Sequence, residues 1–177
     1  MTPANFLRSG KEGGEQTALF MWANMAGRFG YSAADDPASY EVAGHAMAKY
    51  GPGGRCGTIF TDTFGPDAVP ELLDMFAIPN GGLRDKITAA NLKREGVKPG
   101  VPDIFLPVAR GGWHGLFVEM KRRTTGSGKD RKQKGTTSDV QDDWISRLRA
   151  RGYGAASVVG FEAAKTLIRE YLAQGEA

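Results

Sequence analysis

The sequence predicts an α/β fold in which a small mixed β-sheet is flanked by helices. Three observations carry this prediction: apolar residues recur at helical spacing near both ends of the chain, short apolar segments of strand length lie between them, and Gly or Pro turn signals separate the segments. The 177 residues, 41% of them hydrophobic and 24% charged, are enough for one domain with its own core. We therefore predict a single domain over residues 1–177, with an insertion at about 31–70 that is dense in turn signals.

A helix is predicted to begin near Gly14. One face of it carries residues at intervals of four, three and four, namely Glu15, Leu19, Trp22 and Ala26. A carboxylate on the apolar side of a helix is costly unless another group pairs with it, and this makes Glu15 a candidate functional residue. The alternative is that Glu15 only stabilises the positive end of the helix dipole.

The other predicted elements follow from the same patterns. In chain order they are a helix at 40–49 within the insertion, a helix at 71–75, a short strand at 76–78, a turn at 80–82, a helix at 83–95, strands at 103–108 and 116–121, a helix at 138–151, a strand at 154–159 and a helix at 162–172. The strands at 103–108 and 116–121 lack clean alternation of apolar and polar residues. We therefore expect both to be central strands, covered on two faces.

Two acids and a lysine lie on these two central strands. Asp103 opens the first strand and Glu119 lies near the end of the second, so a hairpin pairing would bring the two carboxylates level. Lys121 is two residues beyond Glu119 and shares its face. Paired carboxylates suit Mg²⁺ or Mn²⁺, ions that activate water for phosphodiester hydrolysis, and a neighbouring cation can orient that water. These three residues are the candidate catalytic centre.

A basic segment follows directly. Between Glu119 and Lys134 there are seven Lys or Arg residues and two acids, a balance typical of a surface that faces a polyanion. The alternative is an ordinary solvated loop, but its position beside the candidate catalytic strand favours the polyanion. The candidate nucleic-acid-binding residues are Arg84, Lys93, Arg122, Arg123, Arg131 and Lys132.

The sequence around Asp103 and Glu119 resembles a known family. A Pro-Asp pair precedes one strand and Glu-Met-Lys closes the next, within the segments IPNGGLR, LKREGVKPGVPDIFLP, GGWHGLFVEMKRR, SDVQDDW and LRARGYGA. This text resembles the VRR-NUC family of the PD-(D/E)XK nuclease superfamily, over roughly residues 70–172 and the helix of Glu15. The resemblance implies a restriction-endonuclease-like core and a metal-dependent endonuclease that acts on branched DNA, at junctions or flaps. Stand-alone members are phage or bacterial proteins of DNA repair and recombination that act as symmetric dimers, which makes a homodimer a candidate state here.

The resemblance also implies roles for particular residues. Asp103, Glu119 and the carbonyl of Met120 would bind Mg²⁺ or Mn²⁺, and Lys121 would act on the nucleophile. The N-terminal acid of the family falls on Glu15, which would be a further catalytic residue and metal ligand, and its glutamine falls on Gln141, which would also be catalytic. As the third residue after Ser138, Gln141 has an alternative role in capping its own helix. The stretch at 31–70 is longer than the family leads us to expect.

Two alternatives to a nuclease are compatible with the basic segment and the acids. The first is a catalytically silent nucleic-acid-binding module with a nuclease fold, and the second is an interaction protein whose basic loop binds an acidic partner. Against the first, a bare cluster of acids repels DNA unless a metal neutralises it. Salt-sensitive affinity for DNA would count against the second.

The cysteine content and the apolar segments bear on the expected location of the protein. Cys56 is the only cysteine, so an intrachain disulfide and a cysteine-rich zinc site are excluded, and we expect a reducing intracellular compartment. The family resemblance implies that this is the cytoplasm of a bacterial or phage-infected cell. No apolar segment approaches the roughly 18 residues of a membrane span, so no membrane partner is expected. His45, His114 and Cys56 are interpreted as structural or surface residues. Among the tryptophans, Trp113 in its loop is the candidate for touching substrate.

Overall fold

The computed structural model describes residues 2–8, 13–40, 64–78, 91–92, 94–121, 123 and 139–176. They belong to two compact units, residues 1–75 and residues 76–177. The predicted helix at 40–49 beyond its first residue, the turn at 80–82, most of the helix at 83–95 and most of the basic segment lie outside the described residues. Within the described ranges, no helix is both long and apolar enough to cross a membrane. The single domain with an insertion stays a prediction.

The first unit is helical. It contains α1 (Pro3–Arg8), α2 (Gly14–Phe29), α3 (Tyr31–Asp35) and a 3₁₀ helix (Pro70–Asp74). The apolar face predicted for α2 is confirmed, because Leu19, Trp22 and Ala26 are fully buried. The indole N–H of Trp22 donates to Asp35 Oδ1 at 3.1 Å, and its ring stacks on Tyr31, so the largest buried side chain also fixes α3.

The predicted helix at 71–75 is a 3₁₀ helix that follows Val69. Pro70 begins it, which suits a residue without a backbone N–H at the first helical position. The Val69 N–H donates to the Ala26 carbonyl at 3.1 Å. A Cβ on Gly27 would lie 2.7 Å from Leu73 Cδ2, so a glycine is what allows this close packing on α2.

The second unit contains the sheet. Its elements are β1 (Phe76–Ala77), β2 (Ile104–Leu106), β3 (Leu116–Lys121), α4 (Asp139–Ala150), β4 (Gly154–Val159) and α5 (Gly160–Leu172). The strand order is β1-β2-β3-β4, with antiparallel pairing except between β3 and β4, which are parallel. The mixed sheet and the central position of β2 and β3 are as predicted. β2 covers Ile104–Leu106 and is therefore shorter than the predicted strand at 103–108.

Helices cover the two faces of this sheet. On one face α4 packs Ile145 and Leu148 against Ala155 and Phe117. Side chains alternate along a strand, so Leu116 lies on the opposite face, where Tyr171 of α5 approaches it beside Gly154. The buried residues of α5 are Gly160, Phe161, Ala164, Ile168 and Tyr171. The face under α4 is the one that carries the candidate catalytic residues.

The end of α5 anchors the connection between β2 and β3. The Tyr171 hydroxyl donates to the Val108 carbonyl at 2.6 Å, and the Gly111 N–H donates to the Gly175 carbonyl at 2.8 Å. Burial raises the pKa of the Tyr171 phenol, so the hydroxyl keeps its proton and stays a donor. The hairpin that aligns Asp103 with Glu119 is therefore held at its far end by the last helix.

This anchor can be tested by removing one oxygen atom. We expect Tyr171→Phe to lower the free energy of unfolding by about 1 kcal/mol, the value of one hydrogen bond. Tyr153 is a matched control because its ring packs on Phe105 and Phe117, while its hydroxyl makes no hydrogen bond to the described residues. Tyr153→Phe should change stability by less than about 0.5 kcal/mol. Urea denaturation with an unchanged m-value measures both, and equal effects would contradict the anchor.

Candidate active site

Asp103 and Glu119 face each other across the β2–β3 pair. The register pairs Ile104 with Val118, so the next residues in each direction, Asp103 and Glu119, are opposite each other. The Asp103 carbonyl accepts from the Ile78 N–H at 2.7 Å, so the Asp103 backbone faces β1. The two acids therefore form a non-hydrogen-bonded pair, in which side chains are closest, with Cα atoms about 4.5 Å apart. The predicted level pairing is confirmed.

The Pro-Asp dipeptide controls the backbone at this point. The Met120 N–H donates to Asp103 Oδ2 at 3.3 Å, which fixes one oxygen of the aspartate. Continuing the same register places Pro102 opposite Met120. Because proline has no N–H, Pro102 cannot supply the ladder hydrogen bond that the Met120 carbonyl would otherwise accept. Pro102 therefore keeps a carbonyl oxygen near the two acids free of that ladder bond.

Glu119 is the centre of a polar triangle. Lys121 Nζ lies 2.9 Å from Glu119 Oε1, and the Gln141 amide nitrogen donates to the same oxygen. Lys121 Nζ also donates to Gln141 Oε1 at 2.5 Å. Glu119 is only 3% exposed and is the one buried charged side chain among the described residues. Its second oxygen, Oε2, is buried and has no hydrogen-bond partner in the described part of the chain.

The electrostatics of the site favour a bound cation. Burial raises the pKa of the Glu119 carboxyl, and the negative charge of Asp103 adds to this rise. The hydrogen bond and charge of Lys121 and the backbone N–H of Asp103 oppose it without cancelling it. Burial also raises the pKa of Asp103, opposed by the Met120 N–H and by Lys121. Two ionised acids here would face one lysine, so a charge of about −1 would stay unbalanced in a poorly solvated place.

Carboxylate and carbonyl oxygens are hard ligands of the kind that Mg²⁺ and Mn²⁺ accept. No three His, Cys, Asp or Glu side chains cluster within the ranges the structure describes. The groups that would hold such a metal here are the carboxylates of Asp103 and Glu119 and the carbonyl of Met120, which lie together at the end of the β2–β3 pair. The unpartnered Glu119 Oε2 fits this use, since it is a buried oxygen that lacks a donor.

Helix α4 holds the site from both sides. Through Gln141 it binds Glu119 and Lys121 on β3. Three residues further on, the Trp144 indole N–H donates to the Pro99 carbonyl at 3.0 Å, in the loop that leads to Asp103. In the same loop a Cβ on Gly100, where φ is +81°, would lie 2.6 Å from Val140 Cγ1. Neither contact has a signal in the local sequence, because each joins segments that are far apart along the chain.

Some of the other predicted site residues lie in the described part of the chain and some lie outside it. Glu15 lies half-buried in the first turn of α2 in the first unit, and its role as a ligand stays a prediction. Arg123 is described and exposed. The residues that lie outside the described part are Arg84, Lys93, Arg122, Arg131 and Lys132. Ser138 also lies outside it, so the capping alternative for Gln141 stays untested, although the Gln141 side chain does contact Glu119 and Lys121.

Of the remaining candidates, His114 and Trp113 lie in the described part of the chain. His114 packs its ring on Tyr153 and donates its backbone N–H to the Gly152 carbonyl at 2.8 Å. Trp113 exchanges backbone hydrogen bonds with Arg110 and is half-buried, so contact with substrate stays a prediction. His45 and Cys56 lie outside the described residues.

Comparison with known proteins identifies the family to which this part of the chain is similar. A model of the VRR-NUC domain family matches residues 75–161, a span that contains Asp103, Glu119, Lys121 and Gln141. A solved structure described as a "VRR_NUC domain protein" is 24% identical to this chain, with a TM-score of 0.49 over 77% of this chain and 89% of that chain. No curated protein matches the chain. Residues 75–161 are therefore a VRR-NUC domain, which confirms the family resemblance and assigns this chain a nuclease-type function on nucleic acid.

Proposed function

We propose that this protein is a Mg²⁺- or Mn²⁺-dependent deoxyribonuclease that hydrolyses phosphodiester bonds in branched DNA. One observation carries the proposal. The buried carboxylate of Glu119 has one oxygen bound by Lys121 and Gln141 and the other without a partner among the described residues, beside a second acid. A carboxylate that served only the fold would be expected to satisfy both oxygens. Here the open oxygen suits a metal ion.

The residues that would hold the ion are Asp103, Glu119 and the carbonyl of Met120. A divalent metal bound by oxygen ligands lowers the pKa of water and stabilises charge on a phosphoryl group. The chain itself prepares these ligands. Met120 orients Asp103 through its N–H, and Gln141 and Lys121 fix the orientation of Glu119. The ligand oxygens are therefore held in place by contacts already made in the folded chain.

Lys121 has a further part in the reaction. A lysine ammonium has three N–H donors, and two of them are used on Glu119 and Gln141. The third is left for a water molecule or a phosphate oxygen beside the acids. Because Glu119 and Gln141 both grip the ammonium, its position is set before substrate binds, and this is the condition for electrostatic stabilisation of a transition state.

The choice of branched DNA and of a homodimer rests on the family. Members that act alone on junctions cut two strands, and two copies of one site in a symmetric pair suit paired cuts. A panel of duplex, single-stranded, flap and four-way DNA, each with Mg²⁺, Mn²⁺ or EDTA, tests the substrate class. We expect cleavage of the flap or the four-way form to be fastest and EDTA to abolish it. Equal rates on all four forms would contradict branched-DNA specificity.

The catalytic centre is tested by two substitutions. We expect Glu119→Gln and Lys121→Ala each to lower the rate of metal-dependent cleavage by at least about 10²-fold, since each removes a preorganised charge at the reacting phosphate. The control variants are Glu170→Gln and Arg151→Ala, which change exposed residues of the same charge outside the site.

Measuring the free energy of unfolding distinguishes a loss of catalysis from a loss of folding. Because burial disfavours the ionised form of Glu119, Glu119→Gln should leave the free energy of unfolding unchanged or raise it. Wild-type cleavage rates in both Glu119→Gln and Lys121→Ala would end the catalytic assignment.

Gln141 distinguishes a site contact from a helix cap. If Gln141 acts by holding Glu119 and Lys121, Gln141→Ala should lower kcat by about 10²-fold, the cost of a misplaced reacting group, with a smaller effect on KM. A role in capping alone would lower the melting temperature and leave kcat intact. Gln174→Ala, at an exposed glutamine after α5, is the control for the loss of an amide side chain. Steady-state kinetics and thermal melting, measured on the same samples, decide between the two roles.

Metal binding is expected to depend on pH. The ligands must be ionised to bind the metal, and the pKa values of Asp103 and Glu119 are raised. Affinity for Mn²⁺ should therefore rise as pH increases above about 4.5, the ordinary range of a glutamic acid, and become constant only after the raised values have been passed. Isothermal titration calorimetry across pH measures this rise, and it should be much reduced in Glu119→Gln.

The stability of the metal-free protein should move in the opposite direction. A carboxyl whose pKa is raised in the folded state binds its proton more tightly there than in the unfolded chain. Its contribution to stability is fully present below the ordinary carboxyl pKa and is lost as pH rises through the raised value. Added Mn²⁺ should restore that stability at neutral pH. Affinity that is independent of pH, with no effect of Mn²⁺ on melting, would contradict metal binding by these two acids.

A further inference from the structure

The C-terminal end of β4 shares a face with the catalytic residues. Parallel pairing places Ser157 beside Glu119 and Val159 beside Lys121. Neighbouring strands are about 4.8 Å apart, and paired residues point to the same side of the sheet. Ser157 and Val159 therefore extend the catalytic face by one strand. The function described so far uses neither residue.

Ser157 and Val159 are exposed to solvent, whereas Glu119 on the neighbouring strand is buried. Glu119 is 3% exposed, whereas Val159 is 45% exposed and Ser157 is exposed as well. At the other end of the same face, Ile145 and Leu148 of α4 cover Ala155. Within the described residues, the access to Glu119 from β4 is thus at the end that carries Ser157 and Val159.

A cation lies at the same end. Arg123 follows Lys121 by two residues, and its side chain runs against Gly160, which comes directly after Val159. A Cβ on Gly160 would lie 2.5 Å from Arg123 Nε, 2.9 Å from Cγ and 3.1 Å from Cδ. The first two distances are shorter than a Cβ tolerates and the third is a tight contact, so Arg123 can occupy this position only beside a glycine. Gly160 also has φ of +80°, which favours glycine for a second reason.

We propose that the phosphodiester backbone of the DNA strand crosses the C-terminal end of β4, with the Ser157 hydroxyl and the Arg123 guanidinium as its phosphate contacts. Gly160 is the positioning residue that leaves room for Arg123. This inference rests on the proposed nuclease function, and it names the direction from which the strand reaches Glu119. A hydroxyl and a guanidinium are both donors to phosphate oxygens, and the guanidinium can make two parallel bonds. Val159 between them adds an apolar surface that carries no competing charge.

Binding across a range of salt concentrations tests the two contacts. The full-length chain is titrated with a labelled four-way junction in EDTA, so that no cleavage occurs. Arg123→Ala should weaken binding and flatten the slope of log affinity against log salt by about 0.7 to 0.9, the loss of one phosphate contact. Ser157→Ala should weaken binding by about threefold to tenfold, as for one hydrogen bond, with the slope unchanged because no charge is removed.

Matched controls exist for both variants. Arg151 is exposed just before β4, and the length of that strand, about 16 Å, separates it from the Arg123 end. Ser146 is exposed on α4 and donates to the Asp142 carbonyl at 2.9 Å. Arg151→Ala and Ser146→Ala should bind the junction with nearly wild-type affinity. If Arg123→Ala and Ser157→Ala bind as tightly as these controls, the path across β4 is overturned.

A double-mutant cycle tests Gly160. Gly160→Ala should weaken binding about as much as Arg123→Ala does, and it should add little in the Arg123→Ala background, because the residue it displaces is already gone. Thermal melting reports any loss of folding from the strained backbone separately. Additive effects of the two substitutions on binding, in proteins that are folded at the assay temperature, would overturn the positioning role.

The outcomes separate this path from the nuclease function. Wild-type protein that binds the junction but never cleaves it with Mg²⁺ or Mn²⁺ would contradict the nuclease, while the variants would still decide the path. Metal-dependent cleavage with no effect of Arg123→Ala or Ser157→Ala would overturn the path alone. Absence of DNA binding by the wild-type chain would overturn both.

Discussion

The burial of one ionisable carboxylate is the constraint around which the second unit is organised. Glu119 lies at 3% exposure on a central strand, where an unpaired charge is among the costliest groups to place. Lys121 and Gln141 stabilise one of its oxygens, and the other has no hydrogen-bond partner among the described residues. The sheet therefore keeps a group that weakens the fold in the absence of a cation. Such a cost is understandable where the same group has a chemical use.

Helix α4 makes this arrangement rigid. Its Gln141 reaches β3, its Trp144 binds the loop before Asp103, and its Leu148 packs in the core. One helix thus sets the relative position of two acids that belong to different strands. A change in α4 would move both acids together, because the contacts to the loop and to β3 lie within one turn of each other.

Local patterns in the sequence predicted most of the described strands and helices of the second unit. The bounds of β3 and β4 are as predicted, and the Asp103–Glu119 pairing follows from a hairpin with period-two alternation. What the sequence could not provide depends on contacts between distant segments. The pairing of Ser157 with Glu119 comes from the parallel addition of β4, and the packing of Gly100 on Val140 comes from the return of α4 over the loop. Neither leaves a periodic signal, because each depends on tertiary structure alone.

The Pro-Asp pair shows how a short motif acts through the backbone. Its aspartate takes the Met120 N–H that a ladder carbonyl would otherwise accept, and its proline withholds the N–H that the Met120 carbonyl would otherwise receive. The ladder therefore ends here, leaving a carboxylate on one side and a carbonyl on the other. The proposed metal would then have two acids and one peptide group as ligands, with less buried charge than a cluster of three acids would require. The exposed end of β4 lies beside this end of β3. The site is therefore accessible where the β2–β3 hydrogen bonds stop.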